Sequence, residues 1–155
     1  MPIYYFLGQH SLMPGSMVAP GDMRRELFCL RQPELTVRWP QALREMIYEN
    51  VRQSFFENRP SRLSSHSLFE KLDDAVEHVR RFEPHKVIHE VEAMPQADQF
   101  AADLIYIRKV NLDQNQPVMT VLWNAARQYW EEHEERQVPE LITGSPVRIL
   151  RQVNI

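Results

Sequence analysis

The chain has one cysteine, Cys29, in 155 residues, so no internal disulfide can form, and this usage fits a reducing compartment. Glycine is scarce, at 4 residues, and none of it builds Gly-x-Gly-x-x-Gly or Gly-Lys-Ser/Thr, which disfavours a Rossmann or P-loop enzyme. Gly-x-Ser-x-Gly is also missing, so the nucleophile elbow of an α/β-hydrolase has no place here. No apolar run approaches the ~20 residues that cross a bilayer. Met1–Tyr5 lacks the basic start and apolar stretch of a signal peptide. A basic field is absent too: the net charge is -3 with both signs interspersed, which disfavours non-specific nucleic-acid binding. The expectation is a cytoplasmic protein that does not touch a membrane.

What remains is an ordinary globular composition, 43% hydrophobic and 25% charged, read as a single domain over 1–155. Ile3 to Leu7 is apolar, aromatic and β-favouring, hence a strand. Gly8 to Asp22 carries three glycines and two prolines and reads as loop around a short strand at Met17 to Ala19. Residues 23–38 are ambiguous, with Met23 to Leu30 able to form a short helix. Pro40 suits the first position of a helix whose face is Leu43, Met46, Ile47, Val51 and Phe55, ended by Arg59-Pro60-Ser61.

Leu63 to Glu70 reads as extended. A second helix carries Leu72, Ala75, Val76 and Val79, with Asp73 and Asp74 favourable at its start. From His85 to Ala93 the alternation predicts a strand, with Val87, His89, Val91 and Ala93 on one face and Ile88, Glu90 and Glu92 on the other. Ala101 to Val110 fits a strand or a short helix, and Gln114 to Pro117 a turn. Thr120 can cap a third helix with Leu122, Ala125, Ala126, Tyr129, Trp130 and His133 along one face. The run Glu131-Glu132-His133-Glu134-Glu135 is a solvated face rather than an acidic site. Val147, Ile149 and Arg151 alternate with Arg148, Leu150 and Gln152 in a final strand. The sum is α+β.

The candidate chemistry is thin. His85 and His89 on one strand stand roughly 13 Å apart, too far to share a metal, and no second cysteine or carboxylate pair completes a metal site. His78 and His133 read as helix-surface residues. Ser64, Ser65 and Ser67 flank His66, but neighbours on an extended segment point away from one another. Phe55, Phe56, Trp123, Tyr129 and Trp130 are core by default, with Tyr129 and Trp130 the candidates for an interface. His10 and His66 draw interest because each flanks a loop that would border a cleft.

Four segments in order carry a family resemblance: Tyr4-Tyr5-Phe6-Leu7 with Pro14-Gly15 after it, Pro60-Ser61-Arg62-Leu63-Ser64-Ser65-His66-Ser67-Leu68-Phe69, the helix-then-strand unit from Leu72 to Ala93, and Pro139-Glu140-Leu141-Ile142-Thr143-Gly144-Ser145-Pro146-Val147-Arg148-Ile149. This layout resembles small bacterial ADP-ribosyltransferases of the rifampin-modifying type, and an uncharacterised bacterial family with the same Pro-Ser-Arg-Leu-x-Ser stretch. The resemblance implies an ADP-ribosyltransferase-like fold, two small antiparallel sheets forming a cleft with packed helices. It implies an NAD-binding transferase, a bacterial or phage effector passing ADP-ribose to a protein, nucleic acid or small molecule. A carboxylate beside the ribose would then stabilise the oxocarbenium transition state. Carried over by position, Glu140 is the catalytic acid, ahead of Asp98 and Asp103. Tyr5, Phe6, His10, Arg62, Ser65 and Phe69 are the NAD-binding set, with Arg62 suited to a phosphate. Phe6 falls where the family has a histidine that anchors a ribose hydroxyl. That departure keeps a second reading open, a catalytically degenerate relative that binds a ligand or protein. A third is an unrelated α+β interaction module built on the aromatics near Trp130.

Overall fold

The computed structural model describes residues 1–95, 98–112 and 115–155. In chain order the elements are β1 (Ile3–Gly8), β2 (Met17–Val18), α1 (Asp22–Phe28), α2 (Gln32–Phe55), β3 (His66–Phe69), α3 (Leu72–Phe82), β4 (Val87–Ala93), β5 (Gln99–Asp103), α4 (Ile105–Arg108), α5 (Val118–Trp130), β6 (Pro139–Thr143) and β7 (Val147–Val153). The chain is α+β, as its patterning implies. Instead of two separate sheets there is one seven-stranded antiparallel sheet, ordered β2-β7-β4-β1-β3-β6-β5. Its seam is narrow. β1 and β4 pair along six residues, whereas β1 meets β3 at the single pair Tyr5↔Phe69. A four-strand part and a three-strand part therefore join at one point.

The two faces of the sheet carry different cores. One face packs Tyr5, Phe69, Ile88, Phe100 and Ile142 against α2, α3 and α5 through Tyr48, Val51, Ala75, Val79, Leu122, Tyr129 and Trp130. On the other face lies a smaller cluster of Phe6, Leu68, Val91, Leu141, Val147 and Ile149, with Leu12 and Val18 against it. β4 shows the predicted alternation: Val91 and Ala93 belong to the smaller cluster and Ile88 to the larger. Its pairing with β7 slips once, between Glu90 and Val91.

Several elements differ from the sequence reading for identifiable reasons. α2 begins at Gln32, where the sequence placed a helix start at Pro40, because Pro33 already supplies the proline of the first turn. Pro40 then lies inside the helix, where it removes the bond to the Thr36 carbonyl; Thr36 is exposed, so water can take that place. Thr120 does not cap α5; the helix starts at Val118 behind Pro117 without a side-chain cap. α5 ends at Trp130, so His133 leaves the helical face and stacks on Tyr106 at 4.6 Å. Ala101 to Val110 contains both alternatives, a strand and then a short helix. β6 appears where only a closing segment was expected: all five of its residues are buried, so it shows none of the alternation that marks a half-buried strand. Gln114 of the expected turn lies outside the described residues; Asn115 and Gln116 turn into Pro117. Tyr129 and Trp130 are fully buried, which removes them as a partner surface, whereas Phe55 stays half exposed against Trp123. Glu131, Glu132, Glu134 and Glu135 are exposed, as a solvated face should be. No helix among the described residues is long and apolar enough to cross a membrane.

Candidate functional site

Glu140, the second residue of β6, has no exposed surface. Its Oε1 accepts from Arg62 Nη1 at 2.8 Å and from the Tyr129 hydroxyl at 2.7 Å, and its Oε2 accepts from Ser67 Oγ. Arg62, itself 7% exposed, also donates through Nε to Glu45 at 3.1 Å and through Nη1 to Tyr129 Oη at 2.7 Å. Its guanidinium lies 5.2 Å from the Tyr129 ring centre. Glu45 has a second cation in Arg44, at 3.2 Å. Two carboxylates and two guanidiniums thus close a balanced, hydrogen-bonded cluster between the sheet, α2 and α5. Burial opposes charge on Arg62, but Glu45, Tyr129 and Glu140 outweigh it and hold the guanidinium well above its usual range. Burial likewise pushes Glu45 up, and Arg62 with Arg44 reverses this to a net lowering. For Tyr129, burial and then the balance of Arg62 and Glu140 leave the phenol well above its usual value.

The Pro60 turn exists to deliver Arg62 to this place. Ser61 Oγ accepts from Leu63 N–H at 3.2 Å and donates to Glu49 at 2.8 Å, while Ser64 N–H bonds the Ser61 carbonyl. Arg52, which pairs with Glu49, reaches the Arg59 carbonyl at 2.9 Å. The turn is clipped to α2 on both sides of Pro60, and its arginine points inward.

A cleft of about 350 Å³ opens on the other side of the sheet, lined by Phe6, Gln9, His10 and Leu12 from β1 and the loop behind it, and by Asp22, Arg25 and Glu26 from α1. Phe6, 7% exposed, forms its floor. The ring is flanked by His66, edge-on with centres 5.4 Å apart, and by His89 at 6.3 Å. His66 donates from Nε2 to the Val18 carbonyl at 3.0 Å, and burial lowers its pKa. The charges at the rim are largely paired. Asp22 contacts Arg25, and Glu26 takes Gln9 Nε2 at 3.0 Å with Arg38 and Lys86 nearby at 3.5 and 3.6 Å.

These two places do not meet. Residues directly opposed in an antiparallel ladder project to one face. The registers Tyr5↔Phe69, Phe69↔Glu140 and Ala102↔Glu140 therefore set Tyr5, Phe69, Glu140 and Ala102 in one row on the helix-covered side. Phe6, one residue along, projects into the cleft. So the expected set divides. Arg62 and Glu140 do come together, with Phe69 and Tyr5 in the same packed layer, whereas Phe6 and His10 line the cleft. Ser65 is buried at the entry to β3, and the serine on the acid is Ser67, which sequence reasoning did not assign to the site. Asp103 is also structural: its carboxylate accepts from the Ile105, Gln137 and Val138 amides. Sequence reasoning missed Gln9, Asp22, Arg25 and Glu26; the one signal was Pro20-Gly21-Asp22, a helix start lying beside the Pro14-Gly15 turn. Among the described residues no group of three or more His, Cys, Asp or Glu could hold a metal ion.

Residues 28–155 match the family of proteins of unknown function DUF2441, and the chain belongs to that family. β1, β2 and most of α1, which supply the cleft lining, precede the matched stretch. A search of the curated proteins found no match.

Proposed function

We propose that this chain is an ADP-ribosyltransferase-like binding module whose cleft takes a ligand without transferring ADP-ribose. The observation that carries this reading is the position of Glu140. Its carboxylate has no exposed surface, and Arg62, Tyr129 and Ser67 occupy both of its oxygens. A catalytic carboxylate stabilises an oxocarbenium ion only if it lies against the ribose. This one lies across the sheet from Phe6, and Phe6 cannot hydrogen-bond a ribose hydroxyl. An aromatic floor with polar groups at the rim is the ordinary make-up of a small-molecule site.

The transferase reading, with NAD as its substrate, keeps one favourable observation: the loop after β1 folds back and sets His10 in the cleft beside Phe6. The acids available there are Asp22 and Glu26. Calorimetric titration of NAD, run with an assay for released nicotinamide, separates the readings. The expected result is saturable binding with no nicotinamide release, weakened in His10→Ala and retained in Glu140→Gln. Nicotinamide release that disappears in a folded Glu140→Gln variant would restore the transferase. No binding at millimolar NAD would remove NAD as the ligand and leave a protein partner for the cleft.

A further inference from the structure

We propose that His89 is a proton-operated latch on the loop between β1 and β2: the neutral imidazole holds the loop over the cleft through Leu12, and protonation releases it. Gly8 ends β1, and Gly15 and Ser16 are pinned to β7 by Gly15 N–H to the Ile149 carbonyl at 2.8 Å and Ile149 N–H to the Ser16 carbonyl at 2.9 Å. Among the described residues, the backbone between Gln9 and Leu12 makes one hydrogen bond, Leu12 N–H to His89 Nε2 at 3.0 Å. His10 and Leu12, both on this stretch, line the cleft.

The direction of that bond is what makes it a latch. A backbone N–H only donates, so Nε2 must be the bare nitrogen and the proton of the neutral ring sits on Nδ1. A second proton can go only to Nε2, where it would face the Leu12 N–H as donor against donor. His66 is the internal contrast: its Nε2 already donates to a carbonyl, so protonation at Nδ1 leaves that bond in place. His89 is fully buried, and Gly8 is pressed against it so closely that a Cβ there would lie 3.2 Å from Cε1. Turning the ring would disturb its buried packing against Phe6 and Gly8, so the loop yields instead.

The groups around His89 set the pH window. Burial lowers its pKa from the ordinary 6.5, the Val87 carbonyl opposes this, and His10 on the loop lowers it again. Nδ1 itself has no hydrogen-bond partner of good geometry among the described residues. From β3, His66 approaches across Phe6; from β7, the paired residue is the uncharged Gln152. Asp22, Arg25 and Glu26 of α1 line the same cleft as the loop. The latch is closed at neutral pH and opens as the pH falls below 6.5 through the folded value. It stands whatever the cleft binds.

Two NMR measurements on the whole chain test it. The imidazole nitrogen shifts of His89 at pH 7.5 should report the Nδ1–H tautomer. Water exchange at the Leu12 amide, normalised for its intrinsic rate, should lose about tenfold of its protection per pH unit below the His89 pKa, while the β4 ladder amides do not. In His89→Gln, whose side-chain oxygen accepts without titrating, Leu12 protection should be flat. An Nε2–H tautomer, flat Leu12 protection in the wild type, or unchanged pH dependence in the variant each overturns the proposal. Should the variant fail to fold, the two wild-type measurements decide.

Discussion

Arg62→Met is the sharpest test of the buried cluster. Methionine keeps most of the volume and removes the charge, so cavity formation adds little. Arg62 now serves Glu45, Glu140 and Tyr129 together, and both carboxylates are at most 1% exposed. Breaking a buried ion pair by removing one partner costs about 3–5 kcal/mol, because the remaining charge stays in the interior. Two stranded carboxylates do not double this, since Glu45 keeps Arg44 and Glu140 keeps the Tyr129 and Ser67 hydroxyls. A loss of ~3–5 kcal/mol is a fifth or more of the ~5–15 kcal/mol that holds a domain folded. At this chain length it lowers Tm by roughly 6–20 °C. Glu140→Gln should cost less, ~1–2 kcal/mol: the amide oxygen still accepts from Arg62 and Tyr129, and Ser67 can turn to accept. Urea unfolding followed by tryptophan fluorescence reads both variants, since Trp130 is buried beside Tyr129. If Arg62→Met stays within about 1 kcal/mol of wild type, or Glu140→Gln costs more than it does, the cluster is not a dry charge network. The claim that Glu140 is committed to structure would fall with it.

The remaining expectations concern pH and backbone. His66 and His89 both have folded pKa values below the ordinary 6.5, so the unfolded chain binds more protons in that range. Stability is therefore full at neutral pH and falls as the pH drops from about 7 to about 5, by at most ~1.4 kcal/mol per unit for each histidine. Urea midpoints across that range check the sign, and a flat profile contradicts it. Glu45, Glu49 and Glu83, held below their usual 4.5, add a separate loss only at lower pH. Gly15 has φ +87° with nothing within 4 Å of an added Cβ, so Gly15→Ala should cost ~1–2 kcal/mol from backbone conformation alone. Gly144→Ala, equally unobstructed and without a positive φ, should fall within ~0.5 kcal/mol of wild type; equal losses at the two sites would refute the conformational argument.

Elements with one buried face were legible from the sequence, and those without one were not. The apolar spacing of Ile47 and Val51 marks α2 because its other side meets solvent. The alternation of Val87 to Ala93 marks β4 because His89, Val91 and Ala93 are buried while Glu90 and Glu92 between them are partly exposed. β6 gave no such signal, since Pro139 to Thr143 are all buried and a uniformly buried strand has no period to read. The start of α2 was misplaced because two prolines, Pro33 and Pro40, both suit a first turn and only packing separates them.

The candidate site was half legible for a related reason. The family resemblance set Arg62, Ser65 and Glu140 in one site; Arg62 and Glu140 do meet, and it is Ser67, not Ser65, that joins them. What chain distance cannot supply is the face of the sheet. That depends on register, and a slip of one residue reverses it for every side chain on a strand. With Phe69 opposite both Tyr5 and Glu140, the cleft-facing row runs through Phe6, Leu68 and Leu141. Glu140, which the resemblance assigns to the ribose, lies on the opposite, helix-covered face and pairs with Arg62 in the core.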